Sequence, residues 1–128
     1  MIAIDTSSFV AYLAGEHGRD VEATAVALEH HQAVLPPVVL SELLSDPGLP
    51  ASIRELFVQL PLLEVTEGYW ERTGLLRSRL LRQGRRARLA DALIAQSCLD
   101  HEVELVTRDR DCQHFATEAG LRLLAVRI

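Results

Sequence analysis

The chain has no lysine: all thirteen of its basic residues are arginine. It has only two cysteines, Cys98 and Cys112, without CxxC spacing. That excludes a disulfide framework, offers no recognisable zinc-ligand pattern with the five histidines, and predicts reduced, structural thiols in a cytoplasmic chain. No apolar run approaches the roughly 18 residues of a membrane span, so no membrane association is expected. The N-terminus carries no basic region ahead of an apolar stretch, so no signal peptide is expected. A net charge of −5 does not in itself point to nucleic acid. The distribution of charge says more than its sum. Arg77, Arg79, Arg82, Arg85, Arg86 and Arg88 crowd into one short stretch. A guanidinium fork matches phosphate oxygens better than an ammonium does, although a solvated helix face gives the same pattern.

With 128 residues, 48% hydrophobic and 24% charged, the sequence predicts one globular domain over 1–128 with a real core. Short apolar runs at 2–4, 33–35, 62–65, 104–107 and 121–128 read as strands. Between them, amphipathic or apolar stretches at 7–14, 20–31, 38–45, 51–60, 66–84, 89–101 and 111–119 read as helices. This alternation predicts a three-layer α/β/α fold around a mostly parallel, about five-stranded sheet.

Four carboxylates stand where carboxylates are expensive. Asp5 ends the first strand and runs straight into three hydroxyl residues and a helix; Asp109 repeats that arrangement after the strand at 104–107. In an open parallel sheet, the carboxyl ends of strands are where ligands gather. Each Asp also has an ordinary reading, as a helix cap or turn residue. Glu42 interrupts an otherwise apolar helix, and a buried carboxylate needs a partner or a metal; facing water beside Ser41 and Ser45 is the alternative. Asp91 is the lone carboxylate of an apolar segment, where capping competes. Four such groups at one rim would repel one another and raise their pKa values. A divalent cation resolves that conflict, and oxygen ligands without His or Cys suit Mg²⁺ or Mn²⁺. Such an ion can activate water and clamp phosphodiester oxygens, with arginines holding the flanking backbone.

At residues 4–7, 36–44, 89–95 and 105–111 the chain resembles a PIN-domain ribonuclease, specifically a VapC-like toxin of a type II toxin–antitoxin pair. The order and spacing of these motifs cover nearly the whole chain. The resemblance implies that Asp5, Glu42, Asp91 and Asp109 are a catalytic acidic quartet holding Mg²⁺ or Mn²⁺, with Asp5 and Asp91 as the most direct ligands. Ser7 and Thr107 would orient ligands or water, while Thr6 and Ser8 belong to the helix. Arg85, Arg86 and Arg88 are the candidates for gripping RNA. The implied partners are an RNA substrate, a cognate VapB-like antitoxin and a second copy of the chain, with DNA contacted only through the antitoxin. One departure stands out: Cys112 occupies the position after Asp111 where such proteins usually have Phe, and Phe115 follows three residues later. Asp111 is read as a cap. Tyr12, Tyr69 and Trp70 offer stacking faces for bases, but their helical spacing reads first as core or dimer contact. Two rival readings remain. A haloacid-dehalogenase-like phosphatase needs a second Asp two residues beyond the first, where Ser7 stands. A catalytically silent PIN-like module would act only through its antitoxin complex.

Overall fold

The computed structural model describes residues 1–124. Its elements run β1 (Ile2–Ile4), α1 (Thr6–Leu13), α2 (Arg19–Glu29), β2 (Ala33–Val34), α3 (Pro37–Leu44), α4 (Ala51–Gln59), α5 (Tyr69–Arg82), α6 (Leu89–His101), β3 (Glu104–Val106), α7 (Cys112–Ala119) and β4 (Leu123–Leu124). All described strands are parallel, in the order β2-β1-β3-β4. The α/β fold expected from the pattern is the one adopted, with four described strands; the sequence reading of a last strand over 121–128 extends past the described residues.

The strand order locates the site. From β1 the chain crosses to β2 on one side, then passes back over β1 to β3 and β4 on the other. Crossovers between parallel strands are right-handed, so reversing direction moves the connecting helices to the opposite face. The helices α1 and α2 thus cover one face, while the connection through α5 and α6, and then α7, covers the other. The reversal leaves a crevice between the carboxyl ends of β1 and β3, the switch point at which such sheets bind ligands. Asp5 and Thr107 are the first residues beyond those two ends.

A strand covered on both faces must be apolar throughout. Ala3, Ile4, Leu105 and Val106 are fully buried accordingly. Phe9 of α1 meets Phe57 of α4 edge-on at 5.1 Å between ring centroids, and Phe115 and Leu80 fill the opposite side. Cys112 is buried beside Phe115 in this core, so the helix that departs from the usual Phe still packs both side chains inward. Both cysteines are free and buried.

One expected strand does not form. Over 62–65 only Leu62 bridges, to Leu35. Leu62, Glu64 and Val65 are exposed, so Leu63 alone is held against the core. No helix among the described residues is long and apolar enough to cross a membrane.

Candidate active site

Asp5 leaves β1 with an extended backbone, φ −75° and ψ 153°, and caps α1: its Oδ1 accepts from the Thr6 N–H at 2.9 Å. Capping and site geometry are therefore not alternatives here. The other oxygen, Oδ2, accepts from Ser7 Oγ at 2.9 Å and from Thr107 Oγ1 at 2.6 Å. Burial pushes the Asp5 carboxyl above its ordinary value, these donors pull it back, and the neighbouring Asp109 charge raises it again. The Thr107 hydroxyl works in both directions, since it also accepts from the Asp109 N–H at 3.0 Å.

Asp91 sits in the first turn of α6 and is not its cap. That position falls to Arg88, and no side-chain capping bond is made. Its Oδ2 is buried and has no hydrogen-bond partner among the described residues. Burial is the main cause lifting its pKa from 3.8 to about 6, followed by the Asp109 and Asp5 charges; Arg88 opposes and Asp111 adds. Asp91, Asp109 and Asp111 can each place a carboxylate oxygen within 4.8 Å of the others.

This trio differs from the quartet expected from the sequence. Asp111 makes no side-chain cap bond to α7. Instead its N–H donates to Asp109 Oδ1 at 2.9 Å, a tight turn that leaves its carboxylate with the other two. Asp111 does stand at the N-cap position of α7, as expected, but caps through its backbone carbonyl, which accepts from the His114 N–H at 3.2 Å, and its carboxylate is left to the cluster. Asp5 lies close enough to raise the Asp91 pKa but stands outside the trio. Glu42 is exposed, because α3 buries Val39 and Leu43 on one stripe and turns Ser41, Glu42 and Ser45 to water. It is tied to the site through Thr6, whose Oγ1 donates to Glu42 Oε1 at 2.5 Å. Thr6 thus bridges two carboxylates rather than serving the helix alone. Ser8 likewise reaches beyond its helix: its Oγ donates to Asp20 Oδ2 at 2.8 Å, and Asp20 pairs with Arg108.

The arginine stretch is divided. Arg77 Nε donates to the Ala87 carbonyl and Arg79 Nη2 to that of Glu118. Arg85 is engaged by Glu118 at 3.1 Å and by His114 Nδ1 at 3.0 Å. Arg86 remains largely exposed, with Nε 3.9 Å from Asp111 Oδ2, and Arg88 is exposed at the start of α6 beside Asp91. Of the aromatics, Tyr69 is buried and donates to the Leu93 carbonyl at 2.7 Å, whereas Trp70 is 64% exposed.

A cluster of hard oxygen donors with one buried, unpartnered carboxylate oxygen fits a divalent cation, which would relieve both the mutual repulsion and the missing partner. The PIN domain family matches residues 2–118. The chain is a member of the PIN-domain family. Several solved structures share the fold, three of them as follows. A toxin–antitoxin complex from Klebsiella pneumoniae aligns at TM-score 0.71 and 20% identity, covering 100% of both chains. FitAcB from Neisseria gonorrhoeae aligns at 0.69 and 19%, covering 97% of this chain and 96% of the other. VapBC-5 from Mycobacterium tuberculosis, a member of the VapBC family of toxin–antitoxin systems, aligns at 0.64 and 19%, covering 98% of each. No curated protein matches the chain.

Proposed function

We propose that the chain, as one PIN domain over 1–128, is the toxin of a toxin–antitoxin pair and hydrolyses RNA phosphodiester bonds with Mg²⁺ or Mn²⁺. The observation that carries this reading is the buried, unpartnered Asp91 Oδ2, set beside Asp109 and Asp111 at the switch point of the sheet. When bound, the cation supplies charge neutralisation and water activation. Asp91 and Asp109 would hold it, with Asp111 completing the cluster and Asp5 alongside. Ser7 and Thr107 fix the rotamer of Asp5 through their two bonds to Oδ2. Glu42, held by Thr6, stands at the rim where it orients an incoming water. Arg86, exposed and only loosely paired with Asp111, and Arg88, exposed at the start of α6 beside Asp91, grip the RNA backbone; Arg85, already engaged twice, contributes less.

The antitoxin reading rests on the fold shared with two toxin–antitoxin structures. It is supported by an apolar cleft of about 390 Å³ beside Glu42, lined by Val10, Leu13, Leu49 and Ile53. The chain acts in the cytoplasm as a homodimer and reaches DNA only through the antitoxin. The test is cleavage of a mixed RNA pool by the purified chain with Mn²⁺, alongside Asp91→Asn and Asp5→Asn. Cleavage that needs Mn²⁺ and is lost in both variants supports the enzyme. No cleavage by the wild type, with growth inhibition in cells unchanged by either variant, leaves the silent antitoxin-bound module instead.

A further inference from the structure

Three of the polar side chains at the site, Thr107, Asp109 and Asp111, come from the single turn between β3 and α7. The residue between the first two, Arg108, points elsewhere. Its guanidinium grips Asp20 at the start of α2 with two bonds, Nε to Oδ2 at 2.8 Å and Nη2 to Oδ1 at 3.1 Å. It also donates to Glu16 Oε1 at 2.8 Å and to the His17 carbonyl at 3.2 Å. Asp20 is only 6% exposed, and its Oδ2 takes a further bond from Ser8, which is fully buried on α1. The preceding loop is shaped around the pair. Gly18 has φ +144°, and a Cβ there would lie 2.7 Å from Asp20 Oδ1 and 3.3 Å from Arg108 Nη2.

Adjacent residues therefore split between two tasks on both elements. Ser7 holds Asp5 while Ser8 holds Asp20; Thr107 and Asp109 face the site while Arg108 holds the clamp. A fork with two parallel bonds to a buried carboxylate fixes direction as well as distance. We propose that Arg108 is a positioning residue: its clamp on Asp20 and Ser8 pins the β3–α7 turn to α1 and α2, and so sets where Asp109 and Asp111 stand relative to Asp91. The metal arm of this inference rests on the reading of the carboxylates given above; the clamp itself does not.

Charge and geometry predict opposite results, which makes the test sharp. Removing a positive charge beside a cation site tightens cation binding by electrostatics alone. Losing the support of a metal ligand weakens binding, by roughly 10–100-fold where such supports have been removed. Arg108→Gln is expected to weaken Mn²⁺ binding by about tenfold or more, measured by calorimetry on the RNA-free protein at a temperature where circular dichroism shows it folded. Arg108→Lys keeps the charge but not the fork, so it isolates geometry and decides the matter if the Gln variant does not fold. It too is expected to weaken Mn²⁺ binding, and in metal-free protein to speed hydrogen exchange at the Asp109 and Asp111 amides while leaving the Ile4 and Val106 amides unchanged. Unchanged Mn²⁺ affinity in Arg108→Lys, tighter binding in Arg108→Gln, or unchanged exchange at the two turn amides each overturns the proposal. A wild type that binds no Mn²⁺ counts against the metal reading, and hydrogen exchange then decides the clamp alone.

Discussion

Replacing Asp91 by Asn should stabilise the metal-free protein at neutral pH while removing the proposed RNA cleavage. The carboxyl titrates at about 6 rather than 3.8, raised first by burial and then by Asp109 and Asp5. A raised carboxyl means that the folded chain holds its proton more tightly than the unfolded chain does. Stability contributed by that proton is present at low pH and is lost as pH rises from about 4 through about 6. At about 1.4 kcal/mol per pH unit the full span corresponds to about 3 kcal/mol; solvent screening at this half-buried group reduces it to about 1–2 kcal/mol. Asp5, also raised, acts in the same direction above 3.8. Asp20 and Asp100 act oppositely: burial works to raise both, but the hydrogen bonds and charge of Arg108 with the Ser8 bond at Asp20, and those of Arg72 with the Gln96 bond at Asp100, together leave them below 3.8. Their contribution is present above 3.8 and is lost as pH falls through their lowered values. The metal-free protein should thus be most stable near pH 4. The assay is urea unfolding in chelator from pH 3 to 8. Asp91→Asn should gain about 1–2 kcal/mol at pH 7 and flatten the slope between about pH 4 and 6. Wild type should recover the difference on adding Mn²⁺, about 2.7 kcal/mol at a hundredfold excess over Kd, and the variant should gain far less. An Asn variant less stable than wild type at pH 7 in chelator, or one with the same pH slope, would show that the Asp91 charge is not a destabilising one.

Two further substitutions probe the surroundings. Thr107→Val keeps the shape but removes the donor to Asp5 and the acceptor for the Asp109 N–H. It should cost about 2–3 kcal/mol in urea unfolding and raise the Asp5 pKa further in a carboxyl NMR titration; an unchanged Asp5 would contradict its assigned donor. Glu102 closes α6 in the left-handed region at φ 53°. Glu102→Gly should therefore add about 1 kcal/mol of stability, read as a higher melting temperature; a lower one would show the side chain to be needed there.

The strand–helix alternation was readable because parallel strands covered on both faces are short and apolar where they are buried, as Ala3, Ile4, Leu105 and Val106 show. Asp5 and Thr107 were readable for the same reason, since each directly follows a strand end. The stretch over 62–65 misled because it is as apolar as a strand; only Leu62 finds a neighbouring strand residue to bridge. Glu42 faces water, the alternative its sequence left open, because a helix apolar on average can still bury a single stripe, here Val39 and Leu43. Asp111 joined the cluster from the N-cap position of α7 through a local turn on Asp109, which residue spacing does not announce. The pairing of Arg108 with Asp20 joins residues 88 apart, and no local periodicity announces such a contact. Within the arginine stretch, Arg85 and Arg86 look alike as residues; only the arrival of α7 with His114 and Glu118 engages the first and leaves the second exposed.

The proposed function requires a divalent cation at the carboxyl ends of β1 and β3, on the unpartnered Asp91 oxygen. Anomalous scattering from crystals soaked in Mn²⁺ tests it most directly. The expected result is a peak bonded to Asp91 Oδ2 and shared with Asp109, with Asp5 or Asp111 adjoining. A peak confined to the exposed Glu42, or none at the cluster at saturating Mn²⁺, contradicts it.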